Sequence, residues 1–361
     1  MEKADGLLTG LTRVERAGLV VVAALTVLAG IGRYASGFPH VAAFMLAGLA
    51  LAGGAWIVSF STEQVGQRFG PAATGLLQAT LGNLPEFFVV VFALNAGQHV
   101  VAQTAILGSI LVNALLVLGL VIIVGSLRER DHTMRFSARL PNDTATLLLI
   151  TSFIVVLVGL ANSAHDSASH HIKTISIVSA VAILAVYGFW VRQYLRVPQP
   201  GAEKGGKPRL SQTASLTLLV VAGVAAAFVS DWFVHALEPS IHSLGISQAF
   251  AGLVIVATAG NAVEHAVGVV LAYKGYPELA ISVVKNSIGQ VAAFLLPLLV
   301  LVSLLTTTTL TFAFAPVYTG ALLGTAVIIW QITNDGEATP FEGAALVATF
   351  LILATVAAFE T

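Results

Sequence analysis

Cysteine is absent from this chain of 361 residues, and charged side chains make up only 10% of it. The first absence excludes disulfides and thiolate metal sites. The second excludes an ordinary water-soluble domain, in which about 25% of residues are charged. Neither sign of charge dominates, with 17 basic against 18 acidic residues. No basic stripe of the kind that binds phosphates runs along the chain, so no nucleic-acid partner is expected. What is abundant is apolar: 57% of residues are hydrophobic and the mean hydropathy is +0.90. A polytopic membrane protein follows, with the lipid bilayer as its solvent. The segment before the first apolar run is too charged up to Arg16 for a simple signal peptide. That run also shows no small-residue cleavage pattern, so the chain is expected to be mature from Met1.

About 20 apolar residues cross a bilayer as a helix. Punctuation by Gly, Pro and charge marks eleven spans: 17–33, 39–60, 72–97, 99–126, 141–160, 172–194, 212–235, 246–273, 276–305, 310–332 and 341–358. The polar, Pro-, Gly- and Lys-rich stretch from Val197 to Arg209 is the one clear linker. With the N-terminus inside, fourteen Lys and Arg residues fall in inner segments and two, Arg33 and Lys173, in outer ones. This asymmetry supports both the helix count and a cytoplasmic N-terminus, because one missed span would scramble the parity. The expected organisation is a first helix within 1–38, a five-helix unit over 39–196, a cytoplasmic linker over 197–211 and a second five-helix unit over 212–361. An odd number of helices per unit turns the second unit upside down, which is the inverted repeat of many secondary transporters.

The halves repeat a polar motif. Gly82-Asn83-Leu84-Pro85-Glu86 and Gly260-Asn261-Ala262-Val263-Glu264-His265 lie 178 residues apart, each in an apolar span. The same offset relates Ser109-Ile110 to Ser287-Ile288, so the duplication reaches the following helix. Carboxylates in hydrocarbon are costly and mark function by default. Pro85 has no N–H and its ring clashes with the Leu81 carbonyl, while Gly82 weakens the helix beside it. A break near Asn83 is expected, with freed carbonyls facing a cavity. Asn83 and Glu86 share a helix face, as do Asn261 and Glu264. Together they offer an all-oxygen ligand set, suited to hard cations such as Ca²⁺ or Na⁺.

Inverted copies would bring Glu86 and Glu264 to one centre. A pair holding two protons is neutral, and so is a pair holding one divalent ion. Either loaded form crosses more cheaply than the empty dianion, which is the physical core of a cation/proton antiporter. His265 is a candidate proton relay, with packing as a neutral histidine as its alternative role. Ser109, Asn113, Ser287 and Gln290 on the following helices could complete an oxygen cage, with interhelical hydrogen bonding as their alternative role. Gln78 is a weaker candidate. The outer loop bearing His165, Asp166, His170 and His171 reads as a solvated surface loop rather than a zinc site.

At these residues the chain resembles the calcium/cation antiporter superfamily, and within it the cation/proton exchanger (CAX) branch. That branch carries Gly-Asn-Ala-x-Glu in its first half and Gly-Asn-Ala-Ala-Glu-His in its second. Gly75-Leu76-Leu77-Gln78-Ala79-Thr80, Gly108-Ser109-Ile110-Leu111 with Asn113, and Phe250-Ala251-Gly252-Leu253 extend the likeness over residues 60 to about 300. The resemblance implies an all-α integral membrane fold of eleven helices, with an inverted five-plus-five core and an additional N-terminal helix. It implies Ca²⁺ and protons as the exchanged species and no cofactor. Glu86 and Glu264 would be cation ligands and proton acceptors, with Asn83, Asn261, His265, Ser109, Ser287 and Gln290 lining the pathway.

Two departures bear on the ion. The branch tends to have Gly-Ser ahead of its Gln on the ninth helix, where this chain reads Lys285-Asn286-Ser287-Ile288-Gly289-Gln290. Lys285 lies about eight residues into a span, and snorkelling to the cytoplasmic side is the expected behaviour of such a side chain. The alternative is that its ammonium reaches the carboxylates and leaves a net charge of −1, which would suit a monovalent ion or a weakened Ca²⁺ site. Leu84-Pro85 replaces Ala-x and adds bulk to the first copy. The expected function is therefore Ca²⁺/H⁺ antiport, with Na⁺/H⁺, Mn²⁺/H⁺ or Na⁺/Ca²⁺ exchange on the same fold as the alternative. A channel would need a symmetric filter or pore loops, which the sequence does not show. An intramembrane metalloprotease would need His-Glu-x-x-His, so no enzyme is expected. A prokaryotic plasma membrane is the expected location, and a homo-oligomer is compatible with the sequence.

Overall fold

The computed structural model describes residues 10–69, 77, 80–195 and 208–360. These are helical almost throughout: α1 (Arg13–Tyr34), α2 (His40–Gly66), α3 (Leu84–Asn95), α4 (His99–Arg128), α5 (Arg139–Ser163), α6 (Ser167–Tyr194), α7 (Gln212–Leu244), α8 (Gln248–Lys274), α9 (Pro277–Leu305), α10 (Pro316–Thr333) and α11 (Pro340–Ala358). Ten of them are long and apolar enough to cross a membrane, and α3 is shorter. The third expected span, 72–97, begins largely outside the described residues. Among the described residues the only strands are β1 (Met134–Arg135) and β2 (Glu337–Ala338), an antiparallel ribbon pairing Met134 with Ala338 and Arg135 with Glu337.

Local chemistry explains most helix ends. Thr12 opens α1 with a capping box, accepting from the Glu15 N–H while its own N–H donates to the Glu15 carboxylate. Thr339 and Glu342 open α11 in the same way. Three helices depart most from their expected spans, the first being α2, which runs on to Gly66 rather than ending near 60. Helix α7 runs to Leu244 rather than stopping near 235, because the chain reaches a left-handed glycine stop only at Gly245 (φ 63°). Pro239 is accommodated inside it. Helix α10 starts at Pro316 rather than 310, with Pro in the first turn where its missing N–H costs nothing. The residues before it are held otherwise: the Thr307 and Thr308 hydroxyls both donate to the Leu94 carbonyl.

Among the described residues three helices contain a π-helical turn: Val112–Val117 in α4, Ala251–Val256 in α8 and Val291–Leu295 in α9. The first and third nearly coincide under the 178-residue offset of the sequence repeat, so the halves share a backbone irregularity as well as a motif. Such turns insert a residue into the helical ladder and recur at functional sites.

The chain folds as two compact units, each drawing on both halves of the sequence. The first comprises residues 1–92, 189–245 and 259–261. Its core joins α1, α2 and α7, with Phe44 stacked on Phe233 at 4.7 Å. Glycine permits close packing there: a Cβ on Gly53 would press into the Val22 side chain. At one end, Arg209 pairs with Glu15 at 2.5 Å and its backbone N–H donates to Gln64 at 2.8 Å. Arg68 donates to the Leu210 carbonyl at 2.8 Å. The entry to α7 is thereby fixed to α1 and α2.

The second unit comprises 93–188, 246–258 and 262–361. Helices α4 and α8 cross so closely that a Cβ on Gly108 would collide with the Leu253 backbone, and one on Gly252 with the Thr104 hydroxyl. Gly119 and Gly343 make a comparable approach between α4 and α11. Arg128 donates to the Tyr273 carbonyl at 2.7 Å, and Glu278 accepts from the Ser137 N–H at 2.7 Å.

Candidate functional site

In the first unit the expected break occurs at Asn83. Residues 80–82 are helical, Asn83 is a turn, and α3 starts at Leu84. Pro85 therefore lies in the first turn of a new helix, where no hydrogen bond is forfeited. Glu86 lies in that first turn as well, at the positive end of the helix dipole. The Asn83 carbonyl accepts from the Phe87 N–H at 2.9 Å. The Pro85 carbonyl accepts from the Ser230 hydroxyl at 3.3 Å.

Asn83, Glu86 and Asn261 are all buried, at 2%, 3% and 2% exposure. The Asn261 amide donates to the Glu86 carboxylate at 3.2 Å. Residues of the two motif copies thus meet within one unit, an asparagine of the second holding the carboxylate of the first. Gly260 faces the start of α3, since a Cβ there would lie 3.6 Å from the Glu86 Cβ. The second copy lacks the break of the first. Residues 257–274 form a continuous α-helix, with the π turn of α8 immediately before it.

The second unit holds the other described residues identified from the sequence. Glu264 and His265 are partly buried on α8. Ser109 and Asn113 are buried on α4, and the Asn113 amide donates to the Ser109 carbonyl at 3.0 Å. Asn113 stands within the first π turn, and Gln290 immediately precedes the π turn of α9. The glycine crossing at Gly108 brings the α4 backbone beside Ser109 against α8. Ser287 interacts with the Glu264 carboxylate without a well-aligned hydrogen bond. Gln78 lies outside the described residues.

Buried polar atoms nearly always find partners, and each exception calls for an explanation. Several of the exceptions here lie on α8 and α9. Glu264 Oε2, His265 Nε2, Lys285 Nζ, Asn286 Oδ1, Ser287 Oγ and Gln290 Oε1 are buried without a hydrogen-bond partner among the described residues. Four of the six are oxygens, the donor type that hard cations prefer. Asn286 is an addition to the residues expected from the sequence. An amide next to Ser287 in an apolar helix is the signal that could have found it.

Lys285 corrects the snorkelling expectation. Its side chain is 0% exposed and ranks among the largest fully buried in the chain. It lies one turn before Gly289, where a Cβ would come within 3.1 Å of Thr144 on α5. On this enclosed face the four-carbon stem has no route to a polar surface. The loop with His165, Asp166, His170 and His171 is largely exposed, with Asp166 capping a short 3₁₀ turn. Among the described residues no three His, Asp or Glu side chains are grouped to hold a metal ion.

The sequence matches the family profile described as sodium/calcium exchanger protein over residues 39–193 and 214–359. It is 32% identical over 302 residues to the Ca²⁺/H⁺ antiporter ChaA of Bacillus subtilis, covering 81% of this chain and 85% of that protein. It is 30% identical over 342 residues to the Ca²⁺/H⁺ antiporter of a Synechocystis species, covering 88% of this chain and 91% of that one. The solved structure of native YfkE superposes with a TM-score of 0.79 at 27% identity, over 95% of this chain and 100% of that one.

Proposed function

The chain belongs to the sodium/calcium exchanger protein family of membrane transporters, and from that premise we propose that it exchanges Ca²⁺ for H⁺ by alternating access. Glu86 and Glu264 are the groups that bind cation or protons in turn, and Asn83 and Asn261 add amide oxygens. His265, Ser109, Asn113, Ser287, Gln290 and Gln78 line the path. The ion and proton assignment is carried over from relatives named as Ca²⁺/H⁺ antiporters.

The observation that carries the site assignment is the hydrogen bond from Asn261 to the buried Glu86. A carboxylate desolvated in protein is stabilised by a counter-charge or a proton. An amide contributes a dipole and no charge, so either an incoming cation or protonation can neutralise Glu86. That is the choice an antiporter must present. A doubly protonated or Ca²⁺-loaded pair of glutamates is neutral and can be carried through the bilayer interior, while the empty pair is held back by its charge. The transporter then couples the two ions without any leak of the unloaded form.

The five-plus-five inverted repeat, with 39–196 and 212–361 as its halves, is part of this proposal, as is the cytoplasmic N-terminus in a prokaryotic plasma membrane. Loop charge supports the orientation. The shared π turns in α4 and α9 support the repeat. Lys285 places an amine on α9 without an acceptor among the described residues. On this reading the amine, in its protonated form, opposes a divalent ion in the low-dielectric interior and tunes the Ca²⁺ preference.

The test is transport by the purified protein in proteoliposomes with an acid interior. Added Ca²⁺ should enter as protons leave. If Na⁺ dissipates the proton gradient and Ca²⁺ does not, the Ca²⁺ assignment fails while the exchanger class stands.

A further inference from the structure

A second polar site lies in the first unit, away from the glutamate motifs. The α1–α2 connection and the middle of α7 enclose a cavity of about 120 Å³, lined in part by Arg33, His40, Trp232 and His235. That is room for several water molecules or one small oxyanion. Every polar side chain in the lining is a cation or can donate a hydrogen bond, and none is a carboxylate. Asp231 and Glu238, the acids closest to these residues along α7, are not part of the lining.

Two of the donors are unanswered. Arg33 Nε and Trp232 Nε1 are buried atoms with no acceptor among the described residues. A buried donor without a partner carries a free-energy penalty that a bound acceptor removes. The arrangement is also held in place. The Trp232 indole lies edge-on to Tyr34 at 6.2 Å, and its far edge abuts Gly30, where a Cβ would come within 3.2 Å. Arg33 spreads over the Tyr34 ring at 5.2 Å. A side-chain methyl at position 30 would press on the indole, which would have to give by a few tenths of an ångström.

We propose that this pocket binds a phosphate-class oxyanion, with the headgroup phosphate of an anionic glycerophospholipid as its source. The chemistry comes from the donor set. A guanidinium fork, an indole N–H and two imidazoles reach the cavity from the end of α1, the start of α2 and α7. Donors converging from three directions suit a tetrahedral oxyanion better than a flat carboxylate. The location favours a lipid source. The α1–α2 connection joins two spans, so it lies at a membrane face. Tyr34 is 71% exposed there beside Arg33 and Trp232, and Arg, Trp and Tyr together are the residues of the headgroup level. This inference is independent of the exchange reaction and of the ion identity.

The test uses the full chain, purified in mild detergent and stripped of lipid. Phosphatidylglycerol and inorganic phosphate are titrated separately. Thermal unfolding and native mass spectrometry are the readouts. Phosphatidylglycerol should raise the unfolding midpoint and remain bound. Arg33→Gln should weaken that binding by about tenfold or more, the loss expected for a charge-assisted hydrogen bond. Arg33→Lys, which keeps the charge, should retain most of it. If inorganic phosphate gives the same Arg33-dependent shift and the lipid does not, the lipid source is overturned and the site is for a free oxyanion. If neither ligand distinguishes wild type from Arg33→Gln, or neither binds, the whole proposal is overturned. Should Arg33→Gln fail to fold, Trp232→Phe with His235→Gln removes the opposing donors and must weaken the same binding.

Discussion

Asn261 donates a 3.2 Å hydrogen bond to the carboxylate of Glu86. The two residues come from opposite halves of the chain, 175 positions apart. The first motif supplies the carboxylate of this bond and the second the amide that donates to it. Removing the amide with Asn261→Ala should cost a charge-assisted hydrogen bond, worth about 1.5–3 kcal/mol. Apparent Ca²⁺ affinity in proteoliposomes should fall roughly 10–100-fold, while Asn261→Asp should instead shift the pH dependence by adding a second carboxylate.

Glu86→Gln and Glu264→Gln keep the shape and remove the charge. Each should abolish exchange, leaving the circular dichroism of the helices unchanged. A fully active Glu264→Gln variant would end the shared-carboxylate mechanism, whatever Glu86→Gln does.

Lys285 is fully buried, so its effect is separable from surface charge. Lys285→Met preserves the apolar stem and deletes the amine. The ratio of Ca²⁺ to Na⁺ transport should rise, and the pH profile of exchange should move, both read as initial rates in vesicles. Transport indistinguishable from wild type in both respects would reduce Lys285 to a packing residue.

Gly108 has no room for a Cβ against the Leu253 backbone. Gly108→Ala should destabilise the second unit by about 1–3 kcal/mol, the usual cost of overpacking. Gly324 sits in α10 with open space where a Cβ would project, so Gly324→Ala should be neutral or stabilising by helix propensity. Thermal unfolding of the two variants side by side checks the contrast.

The ribbon of β1 and β2 carries Arg135 between Asp131 at 2.8 Å and Glu337 at 3.2 Å. The hydrogen bond from the Arg135 guanidinium holds the Asp131 carboxyl below its ordinary value. A depressed folded value means stabilisation that is present above the unfolded pKa and lost as pH falls through the folded one. The pairs are exposed, so the effect is small. Amide protection in residues 131–138, measured relative to the intrinsic exchange rate at each pH, should fall in the acid range below about pH 4, and Asp131→Asn should remove most of that pH dependence.

Much of the exchanger was legible in the chain before folding. Apolar length marked the spans because a bilayer sets one thickness for every helix. The break at Asn83 was readable because Gly82 and Pro85 act on their own backbone. The duplicated Gly-Asn-x-x-Glu motif was visible because a carboxylate in an apolar run has no cheap structural role. Other features belonged to tertiary structure alone. Whether Lys285 reaches a surface depends on what covers its face of α9, and α5 covers the adjacent turn. Gly108 and Gly252 are indispensable only because α4 and α8 cross at those points. The Arg33 and Trp232 pocket gathers donors some 200 residues apart. Local rules for length, breaks and polarity fix which elements form and which residues are costly to bury. Who meets whom across the bundle is decided by packing, since partners on different helices, such as Asn261 and Glu86, lie far apart in sequence.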